Sequence, residues 1–181
     1  MKAHKTKLAG CFILEPNVFG DHRGYFFESY NEKSLNDALG QDIHFVQDNQ
    51  SFSSYGVIRG LHAQSGTYAQ AKLVRVLKGA VLDVAVDFRP ESPTYGQHIT
   101  VLLSAENRCQ LYIPRGFLHG FVVVSEQAEF FYKCDNFYYK DAEIGIRYDD
   151  PTLAIDWTIP INDLILSEKD KELPFLHEIK W

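Results

Sequence analysis

The stretch RGLHAQSGTYAQAKLVRVLKG, residues 59 to 79, brings Arg59, His62, Lys72 and Arg75 onto segments that otherwise read as core. An imidazole changes charge near neutral pH, so His62, held between Leu61 and Ala63, is suited to taking and returning a proton. Lys72 shares its strand face with Val74 and Val76. It either snorkels to water from a strand end or supplies positive charge where negative charge develops. His119 lies among apolar residues in GFLHGF, and Tyr132 lies mid-strand beside Phe130 and Cys134. Each also fits ordinary core, as a hydrogen-bonded histidine and a packed tyrosine. Asp170, in SEKD, reads most simply as a solvated residue of a charged helical turn.

Two further clusters point to a ligand. FGDHRGYFFESY encloses Arg23 and Glu28 among aromatics, and FVQDNQS sets Gln47, Asp48 and Asn49 after an apolar strand start. Guanidinium forks match phosphate oxygens, carboxamides match hydroxyls or a base edge, and aromatic faces accept rings. Together they predict a pocket for a polar, anionic, ring-bearing ligand. A metal is not expected. Small β-barrels that bind one often use an H-x-H pair, and here the register reads H-A-Q, with Gln64 at the second ligand place.

These side chains need a framework, and the pattern predicts strands. KLVRVLK alternates Lys72, Val74 and Val76 against Leu73, Arg75 and Leu77. AVLDVAVDF sets Leu82, Val84, Val86 and Phe88 against Val81, Asp83, Ala85 and Asp87, and AEFFYKC groups Phe130, Tyr132 and Cys134. Short alternating runs between frequent Gly, Pro and Asn turns argue for an all-β antiparallel sandwich or barrel. One helix is expected in YNEKSLNDALG, with Asn31 as N-cap, Leu35, Ala38 and Leu39 as its stripe, and Gly40 as terminator. A second short turn of helix is expected at LSEKDKEL.

The 181 residues suit one domain, 1–181, large enough to bury a substantial core. A net charge of −6 excludes general attraction to nucleic acid or an anionic membrane. Cys11, Cys109 and Cys134 are odd in number and lack C-x-x-C spacing, which predicts reduced core thiols. After Lys2, Lys5 and Lys7 the apolar run is only CFIL, too short for a signal peptide or a membrane span. A cytoplasmic protein is expected.

Taken in order, VFGDHRGYFFESY, FVQDNQS, GVIRGLHAQ, QAKLVRVLKGAVLDVAVDFRPESPTYG, LSAEN, LYIPRGFLHGF, EFFYKC and LSEKD resemble the dTDP-4-dehydrorhamnose 3,5-epimerases, over roughly residues 10 to 172. The resemblance implies a homodimeric, cupin-like jelly roll that needs no metal and no cofactor. It also implies a dTDP-4-keto-6-deoxyhexose substrate. The family's general base matches His62, oriented by a carboxylate matching Asp170. Its general acid matches Tyr132, and the cation beside the sugar's C4 oxygen matches Lys72. Substrate contacts match Arg23, Glu28, Gln47, Asn49, Arg59, His119, Glu143 and Lys169, with Asp48 in the same run. DNFYYKD offers Tyr138 and Tyr139 for an aromatic that stacks on the base, and Ala63 stands where the family often has a bulkier residue. In the dimer, the strand around CFILEP is expected to add to the partner's sheet.

Two other readings compete. One is an epimerase that inverts only C3 or only C5 of another 4-keto sugar nucleotide. The other is a sugar-nucleotide binder, or a metal-dependent enzyme, on the same scaffold. A base, its carboxylate, an acid and an O4 cation together weigh against a binder, and H-A-Q weighs against a metal enzyme.

Overall fold

The computed structural model describes residues 1–179, so the ends of the expected span at Lys180 and Trp181 lie outside it. In chain order the elements are β1 (Lys2–Lys5), β2 (Phe12–Glu15), β3 (Phe19–Asp21), β4 (Gly24–Phe26), α1 (Glu32–Leu39), β5 (Gln47–Ser54), β6 (Ile58–Gln64) and β7 (Lys72–Lys78). They continue as β8 (Ala80–Asp87), β9 (His98–Ser104), β10 (Gln110–Ile113), β11 (Phe117–Val123), β12 (Gln127–Cys134), β13 (Glu143–Gly145) and α2 (Glu168–Lys171). One sheet runs β1-β2-β10-β7-β12-β5 and the other β13-β6-β11-β8-β9, while β3 and β4 form a separate hairpin. All of these strand pairings are antiparallel.

The alternation read from sequence sorts residues into three apolar layers. Between the sheets, Val74, Val76 and Phe130 meet Val81, Ala85 and Phe121. On the outer face of the first sheet, Leu73 and Tyr112 pack under Leu35 and Leu39 of α1. On the outer face of the second, Val84, Val86 and Phe88 pack with Ile146, Leu153 and Trp157 from the C-terminal segment. Strand β8 therefore carries apolar residues on both faces, because both are covered. Helix α1 starts and stops as its sequence predicts. Asn31 Oδ1 accepts the Ser34 N–H at 3.0 Å, and Gly40 takes the left-handed conformation (φ 65°) that ends the helix.

The N-terminal strand corrects one expectation. The residues of CFILEP do not leave for a partner's sheet: β2 is paired on one side with β1 and on the other with β10 of its own chain. Both of its edges are taken, so it has no free ladder to offer. Among the described residues no helix is long and apolar enough to cross a membrane. Cys11 and Cys134 are buried and Cys109 is half-buried, all as free thiols.

At the end of β8, Asp87 is a fully buried carboxylate with five donors around it. Oδ1 accepts the Arg89 backbone N–H (3.1 Å) and Nε–H (2.8 Å). Oδ2 accepts Arg89 Nη2–H (2.7 Å) and the Ser92 and Thr94 hydroxyls (both 2.6 Å). Burial alone would raise this carboxyl, but Arg89, Ser92 and Thr94 outweigh it and hold it at about 2. A depressed carboxyl contributes stability that is complete above the ordinary Asp range, about pH 4, and is lost as pH falls through its folded value. Asp87→Asn should therefore cost about 3 kcal/mol in urea unfolding at pH 7, leaving the guanidinium without its charge partner. The difference from wild type should shrink towards pH 2, and a difference independent of pH would remove the charge argument.

Candidate active site

The second sheet makes its key turn where β6 meets β11. His62 pairs with His119 and Arg59 with Phe121, so β6 carries one extra residue between these pairs. Such a bulge re-aims side chains locally. Glycines permit the crowding: a Cβ on Gly60 would lie 2.6 Å from Gly120 Cα, and one on Gly120 would lie 2.7 Å from the Arg59 carbonyl oxygen. The result points His62 into a cavity between the two sheets.

His62 Nε2 sits 2.6 Å from Asp170 Oδ1. The imidazole side chain is 29% exposed and the carboxylate 5%, so solvent and ligand reach the ring while its partner is sealed. Burial would push the Asp170 carboxyl up. The His62 hydrogen bond and charge, the Ser167 hydroxyl and the Gly60 backbone N–H together bring it below the ordinary range. Asp170 is thus not a solvated residue of its helical turn. Ser167 caps α2, its hydroxyl accepting the Asp170 N–H at 3.1 Å, and that cap fixes the carboxylate over the strand.

Two adjoining hollows, about 290 and 250 Å³, share Asn49, His62, Lys72 and Tyr132. Gln47, Gln64, Gln70, Cys134, Tyr138 and Glu143 line the first, and Arg59, His119, Phe121 and Phe130 help line the second. Lys72 begins β7, opposite Cys134 of β12, and its Nζ lies 6.0 Å from the Tyr132 ring centroid. Among the described residues it has no hydrogen-bond or ion-pair partner. Loss of hydration lowers its pKa, opposed by Cys134, Asp83 and Glu143. Among the described residues the Tyr132 hydroxyl likewise has no hydrogen-bond partner. Burial foremost, then Cys134, raises that phenol, so it stays protonated at neutral pH; Arg59 opposes the shift.

The rest of the wall is held by ion pairs and hydrogen bonds. Arg59 Nε–H donates to Ser53 Oγ at 3.2 Å. His119 Nε2 lies 3.0 Å from Asp83 Oδ2, both nearly sealed from solvent. Gln47 Nε2–H donates to Asn49 Oδ1 at 3.0 Å. Glu143 accepts the Lys169 ammonium on Oε1 and the Tyr138 hydroxyl on Oε2, the latter at 3.0 Å. Burial would raise the Glu143 carboxyl, and these two donors more than offset it. Of the two candidate aromatics, Tyr138 lines the cavity, whereas Tyr139 is stacked on Tyr68 with centroids 4.2 Å apart.

Lys169 and Asp170 meet the cavity through Glu143 and His62, and three sequence candidates stay outside it in the single chain. Asp48 faces the other side of β5 and pairs with Lys133 at 2.8 Å, as strand alternation requires with Gln47 and Asn49 facing in. Arg23 is on the exposed β3–β4 hairpin, paired with Asp21 at 2.6 Å. Glu28 accepts the Asn31 side-chain N–H at 3.1 Å, near the start of α1. Conversely, the sequence reading missed Asp83 and the structural use of Gln64. Asp83 did carry a signal: it is a charged residue on the inward face of β8, alongside Val81 and Ala85. Among the described residues, no group of three or more His, Cys, Asp or Glu side chains could hold a metal ion.

A family model described as dTDP-4-dehydrorhamnose 3,5-epimerase matches residues 5–178. The dTDP-4-dehydrorhamnose 3,5-epimerase of Escherichia coli is 51% identical over 179 residues, covering 99% of this chain and 96% of the relative. A crystal structure of the enzyme of that name from Elizabethkingia anophelis superposes with a TM-score of 0.96 at 56% identity, covering 100% of this chain and 99% of that one. A dTDP-6-deoxy-D-glucose-3,5-epimerase from Legionella pneumophila, solved in complex with dTDP-4-keto-L-rhamnose, gives 0.95 at 47% identity, covering 99% and 94%.

Proposed function

Because the chain belongs to the dTDP-4-dehydrorhamnose 3,5-epimerase family, we propose that this cavity epimerises dTDP-4-dehydro-6-deoxy-D-glucose at C3 and C5 through His62, Asp170, Lys72 and Tyr132. Both hydrogens to be removed lie α to the C4 ketone. Loss of either as a proton leaves an enolate whose charge rests on O4, so one base and one cation near O4 can serve both carbons. His62 takes the proton on Nδ1, since Nε2 is held by Asp170. The carboxylate fixes the tautomer and stabilises the imidazolium. Lys72 faces O4, and its partnerless ammonium gains the counter-charge that the enolate brings. Tyr132 returns a proton from the opposite face, which inversion requires. Gln47, Asn49, Arg59, His119, Glu143 and Lys169 bind and orient the nucleotide sugar, and Tyr138 takes the base.

The observation that carries this reading is the 2.6 Å contact from His62 to a sealed Asp170, opening onto a cavity where Lys72 and Tyr132 have polar atoms unused among the described residues. Tyr132→Phe in D₂O is the test. His62 and Lys72 would still form the enolate, so deuterium should keep entering at C3 and C5. It should enter mostly with retention, with inversion at C5 slowed by about 10²-fold, the scale of a lost positioned acid. Stability should fall by less than about 1 kcal/mol, since no protein hydrogen bond is removed. Normal inversion at both carbons would return Tyr132 to core packing alone.

We also propose a homodimer, in which Arg23 and Glu28 complete the partner's cavity rather than their own. The β3–β4 hairpin that carries Arg23 exposes Phe19 (67%) and Phe26 (72%), apolar surface that a second copy would cover. Sedimentation at micromolar concentration should give a dimer. A fully active monomer would remove this part of the reading.

A further inference from the structure

Gln64 is a buried carboxamide that the proton chemistry leaves unused. It closes β6, two residues after His62, and its hydrogen bonds go to the backbone of two loops. Nε2–H donates to the carbonyls of Tyr68 (2.9 Å) and Phe137 (3.2 Å), and Oε1 accepts the Tyr139 N–H at 2.6 Å. The same loops are joined by other uncharged ties as well: Gln70 Nε2–H donates to Asn136 O at 2.7 Å, and Asn136 Nδ2–H to Thr67 O at 2.9 Å. The Tyr68 and Tyr139 rings then stack nearly parallel, at 13°. Between these anchors stands Tyr138, its N–H on Gln47 Oε1 at 3.3 Å and its hydroxyl on Glu143.

We infer that Gln64 is a positioning residue for nucleotide recognition: it locks the two loops together so that Tyr138 stands as a ready wall for the planar base. The inference rests on the reading of the cavity as a dTDP-sugar site. A buried amide can meet two carbonyls and one N–H only as a carboxamide, with donor and acceptor on one group. Glutamate has the same shape but would set a second acceptor against the Tyr68 and Phe137 carbonyls, and methionine would leave all three backbone groups unpaired. Either change loosens the tie between the loops, so part of their ordering is left to the moment of binding and affinity falls. Proton transfer at the sugar, which depends on His62, Lys72 and Tyr132, is untouched.

The test compares wild type with Gln64→Glu, Gln64→Met and Gln70→Ala, by calorimetric titration with dTDP and by steady-state kinetics. Gln70→Ala breaks a loop-to-loop tie without altering β6. The dTDP Kd and the KM should rise at least tenfold in both Gln64 variants and about threefold in Gln70→Ala. In all three, kcat and its pH profile should stay within threefold of wild type. Unchanged dTDP affinity in the variants, or a fall in kcat at constant KM, overturns the inference. If neither Gln64 variant folds, an unchanged KM in Gln70→Ala overturns it. Wild-type protein that fails to bind dTDP overturns the reading of the cavity itself, whereas wild type that binds alongside equally tight variants overturns only the role of Gln64.

Discussion

With His62 replaced by alanine, solvent deuterium is expected to stop entering C3 and C5 together, and turnover to fall by about 10³-fold, within the range of positioned acid–base catalysis. The two carbons should fail as one because both are acidic through the same ketone and, among the described residues, only one imidazole borders the part of the cavity shared by its two hollows. Asp170→Asn should reproduce much of the loss without emptying the site, since an amide at 2.6 Å from Nε2 no longer stabilises an imidazolium. The Asp170 carboxylate also sets how stability responds to acid. Asp170 is held below the ordinary carboxylate range, so its contribution to stability is complete above about pH 4 and fades only as the pH falls below that. Proton exchange followed by NMR in D₂O reads both variants. Ordinary exchange at C3 in His62→Ala would mean that a different group serves that carbon, and His119 would be the first to examine.

Lys72→Met should slow exchange at both carbons by about 10²- to 10³-fold, the loss seen when one donor to a developing oxyanion is removed. The same substitution should leave the fold intact or slightly more stable. A half-buried ammonium with no ion-pair partner among the described residues is a cost to the folded state, and an apolar chain of equal length is not. Lys72→Arg should not restore activity, because a wider fork cannot take the place of a compact charge between Tyr132 and Cys134. Thermal unfolding beside the kinetics separates the two effects. An inactive Lys72→Met that is also several degrees less stable would make Lys72 a structural residue.

Much of this site was legible because strand alternation assigns faces without knowledge of neighbours. Val74 and Val76 share the inner face of β7 with Lys72, and Phe130 shares that of β12 with Tyr132, as the runs predict. The Asn31 cap and the Gly40 stop were equally local. What sequence pattern cannot supply is pairing between distant segments. The order β10-β7-β12 places β7 between strands from much later in the chain, and only that order sets Lys72 beside Cys134. Asp170 looked like part of a solvated turn because the contact that buries it, with His62, spans the fold. CFILEP was misassigned for the same reason: its true neighbour, β10, is nearly a hundred residues on. The pattern shows Gln64 only as a missing metal ligand, since its three backbone partners belong to loops that alternation does not place.

The His62–Asp170 contact joins residues 108 positions apart. A ribosome adding about 5 to 20 residues per second needs roughly 5 to 20 s to pass from the imidazole to its carboxylate. Every strand of both sheets is made before that carboxylate, since β13 ends at Gly145, ahead of Asp170. The nascent chain would then have cavity walls, lysine and phenol, but a histidine with no partner to set its tautomer. On the proposed reading, chemical competence thus arrives last, when α2 docks on β6.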